Sequence, residues 1–543
     1  MRHGALTWLK TTWPQHLLWA AGLCLFTGYV FVTAVISTVF PPFIVLAIAP
    51  AIPLVMWLAP EMPAVPRHIA RRLIYIGALL MPLWPLYLHI KLGPLPIITP
   101  TRIMFYAVTF IWLYEMSCVR WRRQQFIAAA KRLWPVFLLV CLLFLQKAVS
   151  VPLALGKGIA AKEFFRETMI WFLPFMAVLT YVDRREMLDR IITLMIAGSA
   201  IVALIAIAEF ATQTHLARLL APIIGDASWL QIAVESKIRD GDFRAQSVHT
   251  HPLSLGEHLA MIIPFVMYKI YRDGALAQRL IYCGLFVVFL AALMMSNSRG
   301  AIIGGGLAIF GTFFLLLTIW IKRPRNMFLR PLAGFIMAAM VVVAPVVGAA
   351  GYRLTTGTEG SAAARSSQSR ITQIENALPK IMKRPLTGYG NGRAARVLGY
   401  YGANLSIDNY YLNLALDLGL PGPLLFLGIF GSLGWICWRW GMRLGEDPYA
   451  GLYMAMAGMI VAFAVTRSIL SITANIEIFL LIAAAVIGTC AATKKLVRRT
   501  PEPEPTVLPD AEEQPVIMSP QALEEHRRKV MAGQSVWRPL NSS

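Results

Sequence analysis

Long apolar runs alternate with short polar connections along almost the whole chain. On the length needed to cross a hydrocarbon core of roughly 30 Å, about fourteen spans are counted. They run near 17–40, 42–59, 73–90, 101–118, 133–150, 168–182, 190–210, 252–271, 279–296, 301–320, 331–350, 411–437, 449–466 and 474–492. The second, sixth and last are short or broken by proline, the pattern of tilted or re-entrant segments. The expected fold is all-α: a polytopic helical bundle with about 12–14 transmembrane helices. The first apolar run is long and carries no small-residue cleavage site, so it is expected to stay as a helix.

The connections carry an orientation signal. If the N terminus is cytoplasmic, the inner loops hold Arg67/Arg71/Arg72, Arg120/Arg122/Arg123/Lys131/Arg132, Arg184/Arg185/Arg190, Lys269/Arg272/Arg279, Lys322/Arg323/Arg325/Arg330, Arg439/Arg443 and Lys494/Lys495/Arg498/Arg499. The short outer loops hold far fewer cations, so both termini are expected inside. Two longer segments then lie outside, 211–251 and 351–408; long loops cross largely regardless of charge. The expected organisation is N-terminal helices over 1–210, a first outer loop over 211–251 and helices over 252–350. A large, partly helical outer loop follows over 351–408, then C-terminal helices over 409–492. The Pro- and Glu-rich segment 493–543 lacks hydrophobic periodicity and is expected to be a disordered cytoplasmic tail.

Composition agrees. Of 543 residues 57% are hydrophobic and only 14% charged, far from a soluble average. The net charge of +22 sits in short loops rather than in a basic, aromatic-interleaved domain, so nucleic acid is excluded as a partner. The six cysteines (Cys24, Cys118, Cys141, Cys283, Cys437, Cys490) lie in or beside apolar runs without paired spacing and read as small buried hydrophobes.

Candidate chemistry gathers in the polar stretch from Tyr352 to Gly422. It carries Arg353, Arg365, Arg370, Lys380, Lys383, Arg384, Arg393 and Arg396 against Glu359, Glu375, Asp408 and Asp417. A basic loop hung between membrane helices asks for an anionic ligand at the surface. Apolar positions 371, 374, 378 and 381/382 share a helical face, so this part reads as an interfacial helix with Arg370, Lys380, Lys383 and Arg384 at headgroup level. Plain lipid anchoring explains it equally well. Pro385 to Gly392 is Gly-rich and includes Tyr389. It lacks the Lys-Ser/Thr of a phosphate loop, so it reads as a tight turn with bare amides available to an anion.

Elsewhere, Ser296-Asn297-Ser298-Arg299-Gly300 places a guanidinium between two spans. An ionisable residue there is functional by default, or else a snorkelling arginine. Arg244, His249, His251-Pro252 and His258 close the first outer loop. No Cys or carboxylate completes a zinc set, so hydrogen bonding or interfacial placement is expected and no metal or cofactor is assigned. Asp408, before Asn409-Tyr410-Tyr411, reads as a helix N-cap or as a general base. Asp417, Gly419 and Pro421-Gly422 mark a kink.

Together these pieces resemble the O-antigen ligase/polymerase family, the Wzy-type polymerases and O-antigen ligases. Asp408-Asn409-Tyr410-Tyr411-Leu412 with Leu416-Asp417-Leu418-Gly419-Leu420-Pro421-Gly422 is similar to the family's His/Asp-Asn-x-Tyr-Leu…Glu-x-Gly-x-x-Gly pattern. Arg370 through Gly390 is similar to the segment before it, Ser296 to Ala301 to its Ser-x-Ser-Arg-Gly element, and Arg244…His251-Pro252…Gly256 to its Arg…His-Pro…Gly stretch. The resemblance covers roughly 200–440. Many ligases have His where this chain has Asp408, which favours a polymerase or a divergent member.

What the resemblance implies is a GT-C-like glycosyltransferase of the bacterial inner membrane. It would be metal-independent and inverting, with no cofactor, working at the periplasmic face on undecaprenyl-diphosphate-linked oligosaccharide. Expected catalytic residues are Asp408, Arg299 and Arg370; expected substrate contacts are Arg244, His251, Tyr389, Arg393, Asn409, Tyr410 and Tyr411. Expected partners are the lipid-linked donor, an acceptor glycan or glycolipid, membrane lipids, and chain-length-regulating or export proteins. The alternatives are a ligase acting on a lipid A core, a flippase or transporter, and a non-catalytic member of an export complex.

Overall fold

The computed structural model describes residues 67–492 apart from 92–96, 225–229, 232–233, 235–237, 323–327, 357–361, 401–406 and a few single positions, together with Gln521 and Glu524. The spans expected near 17–40 and 42–59 and almost all of the tail expected over 493–543 lie outside the described residues. The chain divides into two units, Met1–Thr493 and Lys494–Ser543, and every helix below belongs to the first.

The chain is an all-α polytopic membrane protein. In order the helices are α1 (Arg67–Leu83), α2 (Pro100–Cys118), α3 (Arg120–Arg132), α4 (Trp134–Leu153), α5 (Lys157–Glu167), a π turn (Thr168–Phe172), α6 (Leu173–Tyr181), α7 (Arg185–Thr212) and α8 (Leu216–Leu219). After a two-stranded antiparallel hairpin, β1 (Ile238–Arg239) with β2 (Asp242–Phe243), come α9 (Pro252–Tyr271), α10 (Leu276–Met295), α11 (Arg299–Lys322) and α12 (Arg330–Thr356). The remainder are α13 (Ala362–Lys383), α14 (Ala394–Val397), α15 (Tyr410–Leu418), α16 (Pro421–Leu444), α17 (Ala450–Arg467) and α18 (Ile476–Ala492).

Seven of these, among the described residues, are long and apolar enough to cross a membrane: α4, α7, α9, α10, α11, α16 and α17. An eighth is formed if α2 and α3 count as one span, but they meet at 107°. The bend has a reason. Arg120, Arg122 and Arg123 open α3, and that charge cannot continue into hydrocarbon. The helices expected near 73–90, 168–182 and 474–492 are shorter pieces in the structure, and the first two expected spans lie outside the described residues.

Lipid is as apolar as leucine, so burial among spanning helices follows small and polar residues rather than hydrophobicity. α9, with Ser254, Gly256, Glu257 and His258, and α17, rich in Ala, Gly and Met, are buried over most of their length, while α10 is largely exposed. Gly458 of α17 lies so close to α11 that a Cβ there would overlap Thr312 Oγ1 and crowd the Ala308 carbonyl. Two of the five described cysteines, Cys141 and Cys283, are exposed on α4 and α10. They were expected to be buried; on a bilayer-facing surface a thiol needs no protein cover.

The expected span 411–437 is broken. α15 ends at Leu418, Gly419 takes φ +74°, and α16 starts afresh with Pro421 at its N-terminus. Gly419 packs on the Pro385 carbonyl, which accepts from Leu420 N at 2.7 Å. Only a glycine combines that φ with that approach. The break therefore clamps the turn just after α13 to the bundle.

Candidate functional site

Three elements meet at one end of α9, α11 and α17. The first is the approach to α9. Its residues are held by Glu209, in the last turn of α7, whose buried carboxylate accepts from Leu216 N (2.7 Å), Gln246 N (2.9 Å) and Ser247 N (2.8 Å). Ser247 sits at φ +53°, strained for a non-glycine residue, and the acid holds its amide there. Arg244 precedes this turn; its Nε donates to the Ser296 carbonyl at 3.2 Å, and Ala245 N donates to Met295 O. His251 is the N-cap of α9, its Nδ1 accepting from Leu253 N at 3.1 Å.

The second element is the turn between α10 and α11. Asn297 takes φ +43°, which asparagine tolerates, and Arg299 begins α11. The turn fits a notch at Gly256, where an added Cβ would meet Ser296 Oγ at 3.0 Å and Ser298 Cβ at 3.1 Å. On its other side Gly300 is filled by Ile469. Arg244 and Arg299 are thus brought onto one turn, although 55 residues separate them (299 − 244).

The third is the mouth of α15. The helix N-cap is Asn409, whose side chain accepts from Leu412 N at 3.1 Å. The capping reading of Asp408 is therefore corrected: the residue after it does that work. Asp408 is held instead from α13, where Gln373 Oε1 accepts its backbone N–H at 3.0 Å. Burial raises the Asp408 carboxyl above the ordinary range and the charge of Arg370 opposes this. Arg370 is itself depressed by burial, and its Nε has no hydrogen-bond partner among the described residues. Tyr410 and Tyr411 pack on Phe426, and Tyr411 Oη donates to Ala464 O of α17 at 2.7 Å.

Beneath all three lies a polar knot that the sequence reading missed. Glu257, fully buried on α9, pairs with Arg467 at the end of α17 and accepts from Thr466 Oγ1 (2.9 Å) and Asn475 Nδ2 (2.8 Å). Asn475 also donates to Ser254 O, and Arg467 lies over the rings of Phe463 (4.6 Å) and Tyr410 (5.6 Å). One acid thus ties α9 to α17, to the start of α18 and to the mouth of α15. A visible signal existed: Glu257 is the sole acid within the apolar run 252–271.

Two expected contacts are placed elsewhere. Tyr389 Oη donates to Lys380 O at 2.8 Å, and Arg393 packs on Gly156 and donates to Leu155 O at 3.3 Å. Their Gly-rich turn does present amides to an anion, but the anion is the chain's own Asp417, which accepts from Gly392, Arg393 and Ala394 at 2.7–2.8 Å. Nearby, Lys147, Glu167 and Asn391 form a second buried cluster. Arg370 and Lys380, expected at headgroup level, turn inward; Lys380 donates to Val397 O at 2.5 Å.

The histidine pair that meets is His249 with His258, centroids 5.3 Å apart, rather than His251 with His258. His258 also bonds Ser199 at 2.9 Å, and burial pushes His249 down to about 4. Among the described residues, no group of three or more His, Cys, Asp or Glu is arranged to hold a metal ion. An apolar cavity of about 440 Å³, lined by residues such as Tyr271, Phe286, Phe313 and Trp320, lies towards the opposite ends of these helices.

Residues 284–427 match a family model described as O-antigen ligase (Wzy_C). The matched stretch runs from α10 into α16 and contains Arg299, Arg370, Asp408 and the two tyrosines, while Arg244, His251, Glu257 and Arg467 lie beyond it. A comparison with curated proteins found no match.

Proposed function

We propose that this chain, which belongs to the O-antigen ligase/polymerase family, is a glycosyltransferase that extends lipid-linked oligosaccharide at the periplasmic face of the bacterial inner membrane. Its donor is a glycan on undecaprenyl diphosphate, and both of its termini face the cytoplasm. No nucleotide is supplied outside, so the donor must arrive already activated.

The observation that carries this reading is the electrostatic contact of Arg370 with Asp408 at the mouth of α15, which meets the end of α17 where the start of α11, with Arg299, also packs. In the reaction the acceptor hydroxyl oxygen attacks the anomeric carbon and its proton passes to Asp408. The anomeric C–O bond breaks on the opposite face, and the electron pair leaves with the diphosphate. Burial makes Asp408 more basic than a solvated carboxylate, which suits a general base. Negative charge grows on the departing diphosphate, and guanidiniums fixed beforehand at that position stabilise it without reorganising. Arg299, Arg370 and Arg244 take this role, Tyr410, Tyr411 and His251 align sugars, and no metal step is required.

The test uses purified protein in nanodiscs with a lipid-diphosphate oligosaccharide. Lengthened chains support the reading; transfer to an added lipid A core would make the protein a ligase; unchanged donor would overturn transferase activity. Arg299→Ala and Arg370→Ala should each abolish transfer while leaving insertion intact, and normal products from both would remove the mechanism.

A further inference from the structure

We infer that the outer side of α13 is a docking surface for the acyl chains of the membrane leaflet at the site end of the bundle. At about 100° per residue, its side chains fall into three sectors rather than the two of an ordinary surface helix. Arg370, Gln373, Ala377 and Ile381 face the protein: Gln373 holds the Asp408 amide, and Ala377 and Ile381 belong to a small core with Ile407 and Leu416. Ile371, Ile374, Leu378 and Met382 form a second stripe at relative positions 0, +3, +7 and +11, and all are exposed, at 48%, 46%, 57% and 61%. Thr372, Glu375, Asn376 and Lys383 form a third, exposed and polar. The three centres lie roughly 100° to 145° apart around the helix.

That division fits a helix lying at the edge of a membrane protein, with protein, hydrocarbon and water each on its own side. A helix facing only protein and water has no use for four large apolar side chains in register between the two. The occupant follows from place. α13 comes directly after α12, whose apolar length begins at Arg330, and its chain returns through Arg384 and Leu386 to the clamp at Gly419. It is thus held at both ends by helices of the membrane body, where the apolar medium at hand is the leaflet. Lys383 and Arg384 close the helix, where cations suit anionic headgroups. The inference does not depend on the transfer reaction; it makes the leaflet the outer wall of the helix that carries Arg370 and Gln373.

The test is photocrosslinking of the full-length protein in phospholipid nanodiscs, read by intact mass. Leu378→benzoylphenylalanine and Ile374→benzoylphenylalanine, at exposed positions, should each give a phospholipid adduct. Its yield should exceed several-fold that of Asn376→benzoylphenylalanine, which samples the water sector. Equal lipid yield at 376 and 378, or adducts at 374 and 378 with a second copy of the chain instead of lipid, would overturn the inference. Transfer activity plays no part in the readout, so its loss and the loss of the lipid contact are told apart.

Discussion

Removing either half of the Glu257–Arg467 pair should cost far more than removing both. Both side chains are fully buried, and the pair joins α9 to α17. Arg467→Met leaves a carboxylate inside the bundle with only Thr466 and Asn475 as donors. Breaking a buried pair this way costs about 3–5 kcal/mol. Glu257→Gln leaves the guanidinium without its counter-charge and should cost a similar amount. In Glu257→Gln/Arg467→Met no charge remains, the amide oxygen still accepts one of the two donors, and methionine keeps contact with the Phe463 ring. The double variant then loses about one hydrogen bond, on the order of 1–2 kcal/mol. The measurement is a double-mutant cycle on unfolding in micelles, followed by tryptophan fluorescence. The expected coupling is about 4 kcal/mol or more, against a few tenths for independent sites. A double variant as unstable as the sum of the singles would refute the claim that charge pairing organises this knot.

Four other outcomes follow. Transfer should persist in EDTA, since arginines rather than an ion carry the leaving-group charge; loss that Mg²⁺ restores would count against this. The imidazole of His249 is held down to about 4, so the unfolded chain binds its proton first as pH falls below about 6.5. Stability is then lost between about 6.5 and 4, by up to roughly 3 kcal/mol and less for the surface that His249 retains; acid unfolding of His249→Asn should lack that component. Gly388→Ala places a Cβ 2.5 Å from the Asp417 backbone at φ +62° and should cost more than 2 kcal/mol, whereas Gly306→Ala, with open space around it, should be neutral or stabilising by up to about 1 kcal/mol. Cysteine at Gly360 or Leu405 should react with a membrane-impermeant maleimide in right-side-out inner-membrane vesicles, whose outer surface is the periplasmic face, and not in inverted ones; labelling in inverted vesicles, from the cytoplasmic side, would place the site on the wrong surface.

The helical class was legible because hydrocarbon imposes one rule on every segment: backbone groups must be satisfied internally over a fixed length. That rule gave α9 at its observed bounds and α10, α11 and α17 within a few residues. What hydropathy does not register is where a helix ends for reasons of packing. Gly419 breaks α15 from α16 through a carbonyl 34 residues upstream (419 − 385), and nothing in the local pattern announces that partner.

The site was legible in its residue types and less so in their partners. An arginine between two spans stands out because charge is costly there, which marks Arg299; Arg370 and Asp408 stand out by their places on an amphipathic segment and at a helix start, and Arg244 by its resemblance to the family's Arg…His-Pro…Gly stretch. Whether a polar residue faces substrate or scaffold depends on contacts distant in sequence. Asn409 and Asp408 are neighbours with the same capping chemistry, yet α15 uses Asn409 and leaves Asp408 beside Arg370. The Gly-rich turn looked like an anion cradle, and its amides are occupied by Asp417. Arg370 and Lys380 looked like headgroup ligands, but α13 turns them inward and presents one apolar and one polar stripe outward. Glu209 and Glu257 accept hydrogen bonds that fix the arginine-bearing turns, so the same rarity that marks a catalytic charge also marks the buried acids that hold it. A search for lone acids within spans would have found both, and only the three-dimensional partners separate an acid that meets substrate from one that meets a backbone amide.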